Sequence, residues 1–436
     1  MRKIALLGLC MLLVTTAVFS AGGREEAPQK FEVLYFVGGM GQMADYAVEK
    51  LRQNNPNVTV ELEYNHRAHD VLRNKMMTGD TPDVFMINKG LYSHYGAIAE
   101  GLLGSVEYIL DAPTYDGTGT LRDRIVSTNL EGIGLVDGTH YLIPEVSYLG
   151  GLWYDEKMFN DLGITVPETW EQFIEACEIL KNNGITPLGY LGDFAHEYPL
   201  SYFFLPMLVG LDPQGYADIQ NLVPGAWQTD AVSEVLSRIE YMRDNGYIWP
   251  PSVAAGIEVQ MELVRGNIGF YPCGSWLHAE MQDSWPEDFV LRFIPVPTKT
   301  ASGGTNYVFT TDLVGSVPAE PRNREMTIEY YQYLLSDPDT IAKTITANQF
   351  VMPLVGFAED FGHLLPAPVT SAVQAVDDNP TFTSMWGLWY SELPNEAGNA
   401  INALVAGNIT ADQFIQRMER ASERIRNDDD IPKYVF

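Results

Sequence analysis

Residues 141–173 read YLIPEVSYLGGLWYDEKMFNDLGITVPETWEQF. Residues 141–144 end a β-type segment, because Pro144 has no amide to donate to a further ladder. Gly150 to Tyr154 forms a small-then-aromatic strand core. A turn at Thr165-Val166-Pro167 precedes a helix start in which Thr169 caps and Gln172 stands three residues on. That is a capping box ahead of the apolar positions Trp170, Phe173, Ile174 and Cys177. The stretch predicts strand, crossing, strand, loop and helix, and we read it as the first passage of the chain from one lobe to another.

The 436 residues exceed one ordinary core; at roughly 100–200 residues per domain, two or three domains are expected. Hydrophobic residues make up 46% and charged residues 19%, which predicts a folded rather than a disordered chain. At the start, Met1-Arg2-Lys3 followed by an apolar run over 4–18 and by Ser20-Ala21-Gly22 reads as a secretory signal peptide over 1–22. An uncleaved anchor is the rival reading. Cys10 lies inside the apolar run behind Leu9, where a lipoprotein needs a small residue, so no lipid anchor is expected. The location expected is periplasmic or extracellular.

Loss of Arg2 and Lys3 moves the formal charge from −30 to −32. So acidic a chain argues against nucleic acid and anionic membrane as partners. Cys177 and Cys273 remain after cleavage; one disulfide and two buried thiols both fit an oxidising compartment. No C-x-x-C or H-E-x-x-H occurs and the seven His are scattered, so neither a metal nor a cofactor is expected.

Residues 31–37 (FEVLYFV) form a buried strand running into Gly38-Gly39-Met40-Gly41. A helix over 44–53, a strand over 58–64, a helix over 71–77 and a strand over 84–87 follow. These β-α-β units predict a mainly parallel sheet covered by helices, with ligand bound beyond the carboxyl ends of the strands, at 38–42, 65–67 and 88–92. The Gly-rich turn lacks G-x-G-x-x-G spacing and the Walker Lys-Ser/Thr, so it reads as room for a ligand near the backbone rather than a phosphate cradle. Residues 106–110 read as a short strand and 111–140 as turns. Strands are further expected at 187–191, 267–274, 289–295 and 305–317. Helices are expected at 170–180, 201–209, 229–245, 259–265, 326–335, 339–348, 397–405 and 411–426, the last behind a second capping box, Thr410 to Gln413.

No catalytic constellation is present: there is no G-x-S-x-G, and Asp155-Glu156 on a turn reads as solvated surface. Eight Trp and 23 Tyr are more informative. Aromatic faces beside a few polar groups suit the C–H faces and hydroxyls of a sugar. Trp276, following Gly274-Ser275 past a strand end, is the leading candidate, whereas Trp153 and Trp170 fall within apolar periodicity and read as core.

Several pieces, in order, resemble the extracellular solute-binding proteins of ABC transporters, the family that includes maltose-binding protein. They are Asn55-Pro56-Asn57-Val58, Gly79-Asp80-Thr81-Pro82-Asp83-Val84, Tyr141-Leu142-Ile143-Pro144, Trp153-Tyr154-Asp155-Glu156-Lys157-Met158-Phe159, Pro167-Glu168-Thr169-Trp170-Glu171-Gln172-Phe173, Gly266-Asn267-Ile268-Gly269, Gly274-Ser275-Trp276 and Leu334-Leu335-Ser336-Asp337-Pro338. The resemblance implies an α/β two-lobe periplasmic-binding fold, with hinge-linked β-sheets flanked by helices and ligand in the cleft between the lobes. It also implies closure on binding that a membrane permease senses. Trp276 falls where maltose-binding protein places a stacking Trp. Ile87 stands where that protein has an aromatic, so a maltodextrin preference does not carry over.

The expected lining is Gly39, Met40, Gln42, Asn65, His66, Asn88, Lys89, Glu145, Tyr148, Asp193, Ser275, Trp276, Trp386 and Trp389. The expected lobes are 28–144 with 296–337, and 145–295 with 338–436. The function expected is non-catalytic capture of a carbohydrate for an ABC importer, by a monomer working with permease subunits. A peptide, polyamine or metal chelate as ligand, and a secreted carbohydrate-active enzyme, are the alternatives.

Overall fold

The crossing strand is continuous from Ile143 to Asp155 and buried at all 13 positions in the computed structural model, which describes residues 29–37, 42–88, 92–250, 256–390 and 392–436. The expected signal peptide and the glycine turn at 38–41 lie outside these residues. Among the described residues the main sheet has nine strands: β1 (Lys30–Phe36), β2 (Thr59–Asn65), β3 (Val84–Met86), β4 (Ile143–Asp155), β5 (Thr186–Leu188), β6 (Ile268–Gly274), β7 (Leu291–Ile294), β8 (Val308–Ser316) and β9 (Thr381–Phe382).

Their order is β2-β1-β3-β8-β4-β6-β5, with β7 paired to β4 and β9 to β8. β2, β1 and β3 are parallel, as the β-α-β reading predicts. β8 runs antiparallel to β3 and β4, and β4 antiparallel to β6, and the two carry the ladder from that parallel set to the β6–β5 set, while β9 joins β8 in parallel. β4 pairs with β8 as far as Gly150 and from Gly150 onward with β6, so the strand changes partners at that glycine. Pro144 lies within the strand rather than ending it. The register shifts by a bulge opposite, between Leu313 and Val314, where a missing donor is tolerated.

Helices cover the sheet. Both capping boxes form, Thr169 with Gln172 at the head of Trp170–Asn182 and Thr410 with Gln413 at the head of Ala411–Asn427. The expected strand at 106–110 is instead the helical turn Glu107–Leu110. Five apolar-rich residues carry too little periodicity to separate the two, and burial of Ile109 and Leu110 beside Val106 suits one turn of helix. Residues 111–140, expected as turns, contain the short helices Leu121–Arg124 and Ser127–Gly132 and a hairpin of Leu135–Val136 with Thr139–His140.

Two large cores flank the partner change. One gathers Phe31, Val33, Val84, Ile143, Val146, Leu313 and Tyr330, and extends through Ile341, Ile345, Phe350, Phe357 and Leu365. The other gathers Leu152, Phe173, Leu188, Phe203, Leu236, Phe270, Val296, Phe309, Trp386 and Phe414. Trp153 is fully buried, with Nε1 donating to the Cys273 carbonyl at 3.0 Å, and Trp170 is half-buried under the Arg238 guanidinium. Cys177 and Cys273 are buried and unpaired. No helix among the described residues is long and apolar enough to cross a membrane.

Candidate ligand-binding site

Side chains of a strand alternate between faces, and directly paired residues share one. Tyr148 pairs with Thr311, Val146 with Leu313 and Gly150 with Phe309. Tyr148, Phe309, Thr311 and Leu313 accordingly line one cavity, of about 250 Å³. The intervening pairs, Ser147 with Asp312 and Leu149 with Thr310, face the opposite side and line a wider groove of about 870 Å³. There Asn129 Nδ2 donates to Asp312 Oδ2 at 2.9 Å.

The wall of the smaller cavity is aromatic. Trp276 stands two residues past the end of β6 and is held edge-on by Tyr148 (centroids 4.9 Å), Tyr202 (5.7 Å) and Tyr198 (6.2 Å). Two glycines make this packing possible. A Cβ at Gly274 would lie 2.1 Å from the Trp276 ring, and one at Gly150 would lie 2.3 Å from the Tyr202 ring. His196, Glu197 and Tyr198 enter from the segment leading into the π-helical turn Leu200–Phe204. Glu280 enters from the short helix Leu277–Met281, one turn beyond Trp276.

Of the residues expected from sequence, Asn88, Tyr148 and Trp276 meet in this cavity. Ser275 is buried beside it, where its Oγ accepts from the Leu149 amide at 3.3 Å. Glu145, expected to face the cleft, is instead fully buried on β4, covered by Tyr35 of β1 and Tyr331 of the helix Arg324–Ser336. Tyr35 Oη donates to it at 2.7 Å and Tyr331 Oη at 2.9 Å. Burial pushes its carboxyl up to about 8, against the lowering effect of the two phenols.

Gln42, Asn65 and His66 sit at or beyond the carboxyl ends of β1 and β2 and are not in the cavity wall. Gln42 donates its amide to Asn348, and Asn65 Oδ1 accepts from the Arg67 amide. Asp193 is exposed on the turn Gly192–Phe194, away from the cavity. Trp386 is buried against Trp227 (5.6 Å), and Trp389 stacks on Tyr434 (5.6 Å) with Tyr95 edge-on. Ser384 and Gly387 reach the cavity in their place. Gly39, Met40 and Lys89 lie outside the described residues.

Glu197, Tyr198, Tyr202, Glu280 and the β8 face were not anticipated. Two were signalled: Glu280 stands four residues after Trp276, hence on the same helical face, and Phe309, Thr311 and Leu313 alternate along a predicted strand. Glu197 and Tyr198 carried no periodic signal. Among the described residues no group of His, Cys, Asp or Glu is placed to hold a metal ion.

Residues 40–340 match the family model described as bacterial extracellular solute-binding protein. The chain belongs to that family. This solute-binding protein is 23% identical over 421 residues to the diacetylchitobiose-binding protein NgcE of Streptomyces coelicolor, covering 92% of this chain and 86% of that one. Its fold matches a chitin oligosaccharide-binding protein with a TM-score of 0.70 at 17% identity, over 89% of this chain and 98% of the other. The solute receptor AcbH, described as having an exclusive preference for β-D-galactopyranose, matches with a TM-score of 0.75 at 15% identity, over 92% and 100%. These likenesses establish the two-lobe α/β fold.

Proposed function

We propose that this chain is the carbohydrate-capturing component of an ABC importer, working outside the cytoplasmic membrane. It binds a sugar reversibly and without catalysis in the cavity walled by Trp276, and presents the closed form to permease subunits. The observation that carries the reading is the indole of Trp276, half-buried and ringed by Tyr148, Tyr198 and Tyr202. It sits on the strands that link the two cores, so a ligand there touches both sides of the partner change in β4. Aromatic surface of this kind packs on the apolar faces of a pyranose, with Asn88, Thr311 and the carboxylates left to take its hydroxyls. The names of NgcE and of the chitin oligosaccharide-binding protein support a saccharide as the ligand class.

The lobes that fit the packing are 29–142 with 313–366, and 150–309 with 371–436. This moves 338–365 from the expected second lobe to the first, because Ile341, Ile345, Phe350 and Phe357 pack with Phe31 and Val84, and it moves 296–309 from the expected first lobe to the second, because Val296 and Phe309 pack with Leu152 and Phe270. Export by cleavage of 1–22 and a monomeric state belong to the same reading. A screen of mono- and oligosaccharides by thermal shift and tryptophan fluorescence, with the sugar recovered and analysed, tests it. The expected result is saturable binding with the sugar intact. No response to any sugar, or a hydrolysed sugar, refutes it.

A further inference from the structure

The cavity wall is electrically one-sided. Among the described lining residues the acidic side chains are Glu197 and Glu280, His196 stands beside Glu197, and there is no Lys or Arg. Glu280 is braced from behind by Gln260, itself 4% exposed, whose Nε2 donates to Glu280 Oε2 at 2.9 Å. Burial pushes the Glu280 carboxyl up, Gln260 opposes this, and the neighbouring Glu197 adds to the rise. The aromatic surfaces add to the bias, since ring faces are negative and attract positive charge or polarised C–H groups.

A second observation points to a ligand. Tyr148 is 3% exposed and lines the cavity, and its Oη is buried with no hydrogen-bond partner. Its phenol also feels the Glu280 charge. A buried hydroxyl left unpaired is costly, and a polar group on a ligand entering the cavity would relieve that cost. A hydroxyl can accept from Tyr148 and donate to a carboxylate at once, and an ammonium group can donate to both the phenol oxygen and a carboxylate.

Resting on the reading of this cavity as the ligand site, we propose that Glu197 and Glu280 are specificity residues. They admit ligands that donate hydrogen bonds, such as neutral or amino sugars, and exclude acidic ones such as uronic acids and sugar phosphates. Like charges brought together in a desolvated site suppress the wrong partner more than contacts reward the right one.

Two measurements test this. The first needs no sugar: quenching of the emission component lost in Trp276→Phe, using caesium, iodide and neutral acrylamide. Caesium is expected to quench at least about twofold better than iodide, and the difference should vanish in the Glu197→Gln, Glu280→Gln double variant. Equal quenching by the two ions in the wild type overturns the proposal.

The second compares galactose, glucose, chitobiose and glucosamine with galacturonate, glucuronate and glucose 6-phosphate, with spermidine as a further arm. Acidic sugars are expected to bind at least about tenfold more weakly than their neutral parents, narrowing to within about threefold in Glu280→Gln. Acid and parent binding alike overturns the proposal. Spermidine binding without any sugar, together with the caesium preference, leaves the filter standing and removes the carbohydrate reading. If a Gln variant fails to fold, the wild-type ion preference and acid-to-parent ratio still decide.

Discussion

The sequence predicts both Glu145 and Trp276 as lining residues, and the structure separates them. Trp276 was legible because a large aromatic after Gly-Ser at a strand end has no apolar period to join. Glu145 sits in an alternating strand, where sequence gives the face but not what covers it, and the cover is Tyr35 and Tyr331 from distant segments. Its folded pKa of about 8 exceeds the ordinary 4.5, so the folded state keeps a proton that the unfolded chain releases. Stability therefore falls as pH rises from about 4.5 through about 8, by an amount on the order of 4 kcal/mol for this group. Comparing urea unfolding at pH 5 and pH 9, Glu145→Gln should gain relative to the wild type by that order; parallel pH profiles would contradict the burial described. At Gly274 the expected lesion is functional. Gly274→Ala drives a methyl into the Trp276 ring, so sugar affinity should fall by about tenfold or more while the chain stays folded, an overpacking effect confined to the cavity wall. Fluorescence titration beside circular dichroism checks both halves.

At the scale of elements, the regular pieces were legible where local chemistry decides them. Thr169 and Gln172 fix a helix start by hydrogen bonds within four residues, and the box forms as read. Thr169→Ala should cost about 1 kcal/mol, seen as a lower urea midpoint with an unchanged slope. Elements that tertiary packing decides were read less well. Residues 106–110 take the helical form their neighbours can bury. In the four-residue helix Trp386–Trp389 the two indoles, three positions apart, turn to one side and into the packing, leaving Gly387 at the cavity. The segment was identified and the side chains were not, because a helix this short shows no period from which to read its buried face. The helices over 338–365 pack with Phe31 and Val84; their apolar faces are plain in the sequence, but which of the two cores they join is not.

For the molecule as a whole, β4 and β8 both line the cavity and connect the two cores, so a ligand held there would rest on the same residues that join the cores. The pleat of those strands makes the groove on their far side the reverse surface of the same plate. Any rotation that narrows the one must reshape the other, whatever the ligand and without touching it. Thr128 is exposed on the wall of that groove, and burial holds the thiols of Cys177 and Cys273 protonated and inaccessible. A Thr128→Cys chain should accept one environment-sensitive dye, and its emission should change in step with ligand saturation; an unchanged signal at full occupancy would mean the strands do not move. The far groove thus offers an optical readout of an unlabelled solute, with the protein as its own transducer.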